Sequence, residues 1–82
     1  MYYIAIYKNG NDREIYKSKS LLDVLADLAD DNIIDRYADY DNDENLTDEE
    51  YYKNLAENYS PCELNALYED YNVTFTYADR IF

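Results

Sequence analysis

Histidine and tryptophan are absent from these 82 residues, and cysteine, glycine, proline and methionine occur once each. Without histidine the chain has no side chain that ordinarily titrates near neutral pH, which removes the usual general base and the commonest transition-metal ligand. A lone Cys62 excludes an intramolecular disulfide and the usual sulfur-rich zinc site. It stands beside Glu63 with no histidine to activate it, so it reads as a packed or half-exposed residue rather than a nucleophile. No apolar run approaches membrane-spanning length, and the N-terminus lacks the basic-then-apolar order of a signal peptide, so the sequence predicts a cytoplasmic protein with no membrane partner. A chain this short holds one core and one domain.

Cations are scarce too. Seven Lys and Arg face nineteen Asp and Glu, a net charge of -12. Nucleic acid and anionic lipid repel such a surface, so direct nucleic-acid binding is not expected. The charge is uneven along the chain. Residues 1–20 carry Lys8, Arg13, Lys17 and Lys19 against Asp12 and Glu14, a net of +2, whereas residues 21–72 hold sixteen acids against Arg36 and Lys53, a net of -14. Twelve tyrosines supply enough aromatic surface to oppose the disorder that such acidity would otherwise favour.

Local patterns give the order β, β, α, α, α, β. Tyr2 to Lys8 is a β-branched and aromatic run, Asn9-Gly10 signals a type I′ turn, and Asp12 to Lys17 pairs back as a hairpin. Ser20 with Asp23 resembles a capping box, and Leu22, Leu25, Ala29, Ile33, Tyr37 and Tyr40 recur at helical spacing, which predicts a first helix from about Leu21 with Asn32 as a candidate break. Thr47 with Glu50 opens a second helix through about Glu57. Ser60-Pro61-Cys62-Glu63 joins an N-cap, a first-turn proline and Glu at N3, and opens a third helix to about Asp70. Tyr71, Val73, Phe75 and Tyr77 then alternate with polar residues as a half-buried strand. The simplest packing is an α+β domain, a three-stranded antiparallel sheet with the helices on one face.

Asp23, Asp27, Asp31, Asp35 and Asp39 fall at four-residue intervals, so on one continuous helix they form a single row of carboxylates about 6 Å apart. Like charges at this spacing cost roughly 0.2–0.5 kcal/mol per pair, and no Lys is interleaved to offset them. A regular ladder of negative charge is what duplex DNA offers to a basic cleft. In size, acidity and β-plus-α make-up the chain resembles the small phage-encoded DNA-mimic inhibitors: anti-CRISPR proteins, anti-restriction proteins and inhibitors of uracil-DNA glycosylase. The resemblance is one of general character, with no family motif to transfer residue by residue. It implies a stoichiometric inhibitor, monomeric or dimeric, acting in the host bacterial cell on a CRISPR, restriction or repair enzyme with a basic cleft. Its expected working surface is Asp23, Asp27, Asp31, Asp35, Asp39, Asp41, Asp43, Glu44, Asp48 and Glu49, with Tyr51 and Tyr59 as aromatic anchors. A plain acidic face, and a non-mimic adaptor or inhibitor, share these features.

Asp39 to Glu50 also resembles the twelve-residue EF-hand loop, with acids at positions one, three and five, Leu46 at position eight and Glu at twelve. That resemblance implies Asp39, Asp41, Asp43 and Glu50 as calcium ligands through side chains, Asn45 through its carbonyl and Thr47 through water. The chain departs from it at position six, where Glu44 replaces the turn-forming glycine, and no second loop is present to pair with it. Paired carboxylates also serve glycosidases, but such chemistry needs a concave site that raises one pKa. No enzyme, catalytic residue or cofactor is predicted.

Overall fold

The computed structural model describes residues 1–36 and 43–79. Strands β1 (Tyr2–Asn9) and β2 (Asp12–Ser18) form the expected hairpin, and β3 (Val73–Ala78) returns antiparallel on the other side of β1, giving the order β2-β1-β3. Helices α1 (Leu21–Asp30), α2 (Asp48–Asn58) and α3 (Pro61–Leu67) lie between β2 and β3 in sequence, and a 3₁₀ turn at Glu69–Tyr71 leads into the last strand. The fold is α+β in the order β-β-α-α-α-β.

The hairpin closes one residue later than the Asn9-Gly10 signal suggests. Asn9 pairs with Asp12, so the two loop residues are Gly10 and Asn11, and Gly10 takes the positive φ of 63°. A positive φ at the first loop position alone is the pattern of a type II′ turn, and glycine there has no Cβ to oppose it. The shift moves each cross-strand partner by two residues and leaves every side chain on its expected face.

Strand alternation puts Ala5, Tyr16, Phe75 and Val73 on the helix side, where Ala5, Phe75 and Val73 are buried with Leu21, Val24, Leu25 and Leu28 of α1, Tyr51, Tyr52 and Leu55 of α2, and Leu64 and Tyr68 around α3. No polar or charged residue is buried among those described. Tyr68 is fully enclosed, with Tyr71 edge-on at 5.3 Å and Phe75 tilted at 6.0 Å. These geometries add about 0.5–1.5 kcal/mol per pair beyond area burial. The outer edge of β3 is closed by Asn65, whose side-chain amide donates to Phe75 O at 2.9 Å and whose Oδ1 accepts from Phe75 N at 2.6 Å. A helix side chain thus stands where a fourth strand would pair.

All three predicted N-caps are present. Ser20 accepts from Asp23 N, Thr47 from Glu50 N and Ser60 from Glu63 N, and Glu63 completes a reciprocal box by accepting from Ser60 N at 3.1 Å. The third helix is shorter than its expected span to Asp70: it ends at Leu67, and Asn72 turns left-handed (φ 59°) to start β3.

The first helix departs most from expectation. It ends at Asp30 with Asp31 as C-cap, and Asn32 adopts φ 61° just beyond. Asn32 N bonds Ala29 O at 3.0 Å and Ile33 N bonds Leu28 O at 2.9 Å, the paired bonds of a Schellman stop, while half-buried Ile33 packs against the core. The continuous ladder from Asp23 to Asp39 therefore does not form: the helical row stops after Asp31, and Asp35 lies past the turn.

Candidate acidic surface

With Leu21, Val24, Leu25 and Leu28 buried, helical geometry sends Asp23, Asp27, Asp30 and Asp31 to the outer side of α1, where all four are exposed. α1 carries no Lys or Arg. Two of the four are held from β2: Ser18 Oγ donates to Asp23 Oδ2 at 3.2 Å, and the Tyr16 hydroxyl donates to Asp31 Oδ2 at 2.6 Å while lying 2.9 Å from Glu14 Oε2. Ionising Tyr16 would set a phenolate against those carboxylates, so its pKa is raised well above the tyrosine range. Exposed Asp35 accepts from the Tyr71 hydroxyl at 3.1 Å, which with partial burial raises Tyr71 as well.

A second group of acids sits in the first turn of α2, where Asp48, Glu49 and Glu50 meet the positive end of the helix dipole. Between α1 and α2 runs an open groove of about 560 Å³. Its rim carries Asp23, Asp30, Asp35, Asp48 and Glu49, and Leu22, Ala26, Ala29, Ile34 and Tyr52 supply apolar lining. Burial and the Asp48 and Asp35 carboxylates push the Tyr52 hydroxyl up to about 12, with Arg36 partly opposing. An apolar lining under a carboxylate rim suits the aliphatic stem and charged head of an Arg or Lys side chain.

The cation on this rim, Arg36, is turned to structural use. Its Nη1 donates to Leu46 O at 2.7 Å and to Asp48 Oδ1 at 3.0 Å, Nη2 donates to Asp43 O at 2.7 Å, and the guanidinium stacks 5.2 Å from the Tyr51 ring centroid. The described part of the EF-hand-like segment, residues 43–50, is thus folded around a guanidinium. Its carbonyls at Asp43 and Leu46 face Arg36, the Asp43 side chain caps Asn45 N at 2.9 Å, and Glu50 accepts from Thr47 Oγ1 at 2.9 Å in the α2 cap. Asp39 and Asp41 lie outside the described residues, as do Tyr37 and Tyr40. Among the described residues no three Cys, Asp or Glu side chains converge as metal ligands.

The predicted surface is therefore brought together in part. Asp23, Asp27 and Asp31 share the outer side of α1, and Asp35, Asp48 and Glu49 gather at the groove. Asp43 and Glu44 are exposed in the turn before α2. Tyr51 is 3% exposed and belongs to the core, so its ring is not offered at the surface, and Tyr59 is half-buried against the same core. Three participants escape a reading of the sequence. Asp30 follows Asp23 by seven residues, two helical turns, a spacing that a search at intervals of four passes over. Tyr52 has the character of a packing residue, yet it also lines the groove. Arg36 stands out in the sequence only as one of two cations in a long acidic stretch. Compared with protein-family models, with curated proteins and with solved structures, the chain matches none.

Proposed function

We propose that this chain is a stoichiometric protein inhibitor that imitates the charge of DNA and blocks the basic nucleic-acid-binding cleft of a CRISPR, restriction or repair enzyme. The observation that carries this reading is the outer side of α1, where four exposed carboxylates occupy little more than two turns with no cation on the helix, continued by the acidic rim of the groove. Lys and Arg side chains of a cleft that pair with such a surface free its bound counterions into solvent, as they do when they pair with phosphates. The groove adds places for their aliphatic stems. Binding, not bond-making, is the activity proposed, and its setting is the host bacterial cytoplasm.

The test is capture of nucleic-acid-binding proteins from a bacterial lysate on the immobilised chain, with and without duplex DNA as competitor. Capture that duplex DNA displaces is expected. The discriminating variant is Asp27→Lys with Asp30→Lys, because Asp31 and Asp35 also hold tyrosine hydroxyls and their reversal would disturb the fold. The double variant should bind the captured protein roughly a hundredfold more weakly, since like charges across an interface cost several kcal/mol. It should be at least as heat-stable as the parent. Asp27→Lys exchanges repulsion toward Asp23 and Asp31 for attraction worth about 0.2–0.5 kcal/mol per pair. Undiminished capture by the variant would place binding on another surface.

A further inference from the structure

The helices cover one face of the sheet, and among the described residues no helix or strand covers the other. Alternation puts Tyr2, Ile4, Ile6 and Lys8 of β1 on the bare face, and the pairs Lys8 with Arg13, Ile6 with Ile15 and Ile4 with Lys17 set the β2 residues beside them. Lys19 Nζ lies 5.6 Å from the centroid of the Tyr2 ring, and Thr74 and Thr76 continue the rows on β3. Ile4, Ile6 and Ile15 lie outside the core cluster, and Ile15 is 62% exposed. Four of the chain's seven Lys and Arg thus meet on one face. The acids of β2 fall on the opposite alternation, where Glu14 meets Tyr16. The bare face is an isoleucine patch with cations at its margins, behind a body that is otherwise acidic.

We infer that this face docks an acidic amphipathic helix of another protein, with the apolar stripe of that helix over Ile4, Ile6 and Ile15 and its flanking carboxylates on Lys8, Arg13, Lys17 and Lys19. Charge complementarity selects this occupant. A second copy does not fit: face to face it would set four cations against four, and among the described residues the large apolar side chains exposed elsewhere are only Met1 and Tyr77. Phosphates of a nucleic acid would satisfy the cations and leave the isoleucines uncovered. A lipid surface rewards side chains that project, and Ile4 and Ile6 are half-buried in the sheet. A helix on this face would complete a three-layer arrangement with the sheet in the middle. The inference uses the side of the molecule opposite to the acidic surface and is independent of what that surface binds.

The experiment measures binding of the full chain to two fluorescent synthetic helices of about 18 residues, each with a leucine stripe, one flanked by Glu and the other by Lys. The Glu-flanked helix should bind at least about tenfold more tightly than the Lys-flanked one. The exchange Ile15→Ser with Lys17→Glu should weaken it by about tenfold again, and Lys17→Glu alone supplies the same sign should the double variant fold poorly. Equal binding of the two helices, no binding of either, or indifference to both variants would overturn the inference. So would tighter binding to phosphatidylserine vesicles or to duplex RNA than to the Glu-flanked helix.

Discussion

At the scale of single residues, tyrosine hydroxyls decide how this acidic chain responds to alkali. Tyr16 is raised by its bond to Asp31, Tyr52 is raised to about 12 by burial and the nearby carboxylates, Tyr71 is raised by partial burial and Asp35, and burial lifts enclosed Tyr68 far above the usual range. In the unfolded chain all four titrate near their ordinary value of about 10. The native state therefore holds these protons more tightly than the unfolded state. The stability this confers is fully present below about pH 10 and is lost as pH rises through the native values, near 12 for Tyr52. Urea unfolding across this range should show stability falling above about pH 10, and less steeply in Tyr16→Phe. A flat profile to about pH 12 would contradict the raised tyrosine values, and an unchanged slope in Tyr16→Phe would contradict the role of its bond to Asp31. Two other single residues redirect the chain: Asn32 and Asn72 take left-handed φ angles that most side chains avoid, and each ends one element before the next begins. Asn32 was legible as a break, since asparagine is the usual substitute for glycine at a helix stop. Its place between Asp31 and Asp35 is where the carboxylate row is cut, although the regular spacing of the aspartates by itself carries no information on where a helix ends.

At the scale of elements, the start of α2 depends on a cation that lies well before it in the chain, Arg36, which gathers the carbonyls of Asp43 and Leu46 and the carboxylate of Asp48. Its side chain is 14% exposed whereas that of Asp48 is 79% exposed, so the ion pair itself contributes little and the charged bonds to the carbonyls contribute more. Arg36→Met, which keeps the stem over Tyr51, should therefore destabilise the fold by roughly 2 kcal/mol in urea titration, while Asp48→Asn should cost less than about 1 kcal/mol. Equal effects from the two would show that the ion pair, and not the carbonyl clasp, is what holds the segment. The elements themselves were largely legible. Capping residues at Ser20, Thr47 and Ser60 and the alternation around Val73 and Phe75 located their starts, because those signals are local. The clasp was not, since it joins residues that only the tertiary fold brings together, and the same segment in sequence has the spacing of a calcium loop.

At the scale of the whole molecule the charge is divided by the sheet. One side presents the carboxylates of α1 and the groove, and the other presents Lys8, Arg13, Lys17 and Lys19 around isoleucines. The sequence revealed this division only as a weakly basic first twenty residues before an acidic body. Strand alternation turns that bias into a face, by sending the four cations one way and Glu14 the other. The acidic side is the one the proposed inhibition uses, and its mechanism is long-range attraction followed by occupation of a basic cleft. The most direct measurement is the association rate constant of the chain with its captured target across salt, from roughly 50 to 500 mM. The rate should fall steeply with salt for the parent chain and be lower with a shallower slope for Asp27→Lys with Asp30→Lys. A rate constant that stays flat over that range, with binding that survives at its upper end, would contradict charge mimicry.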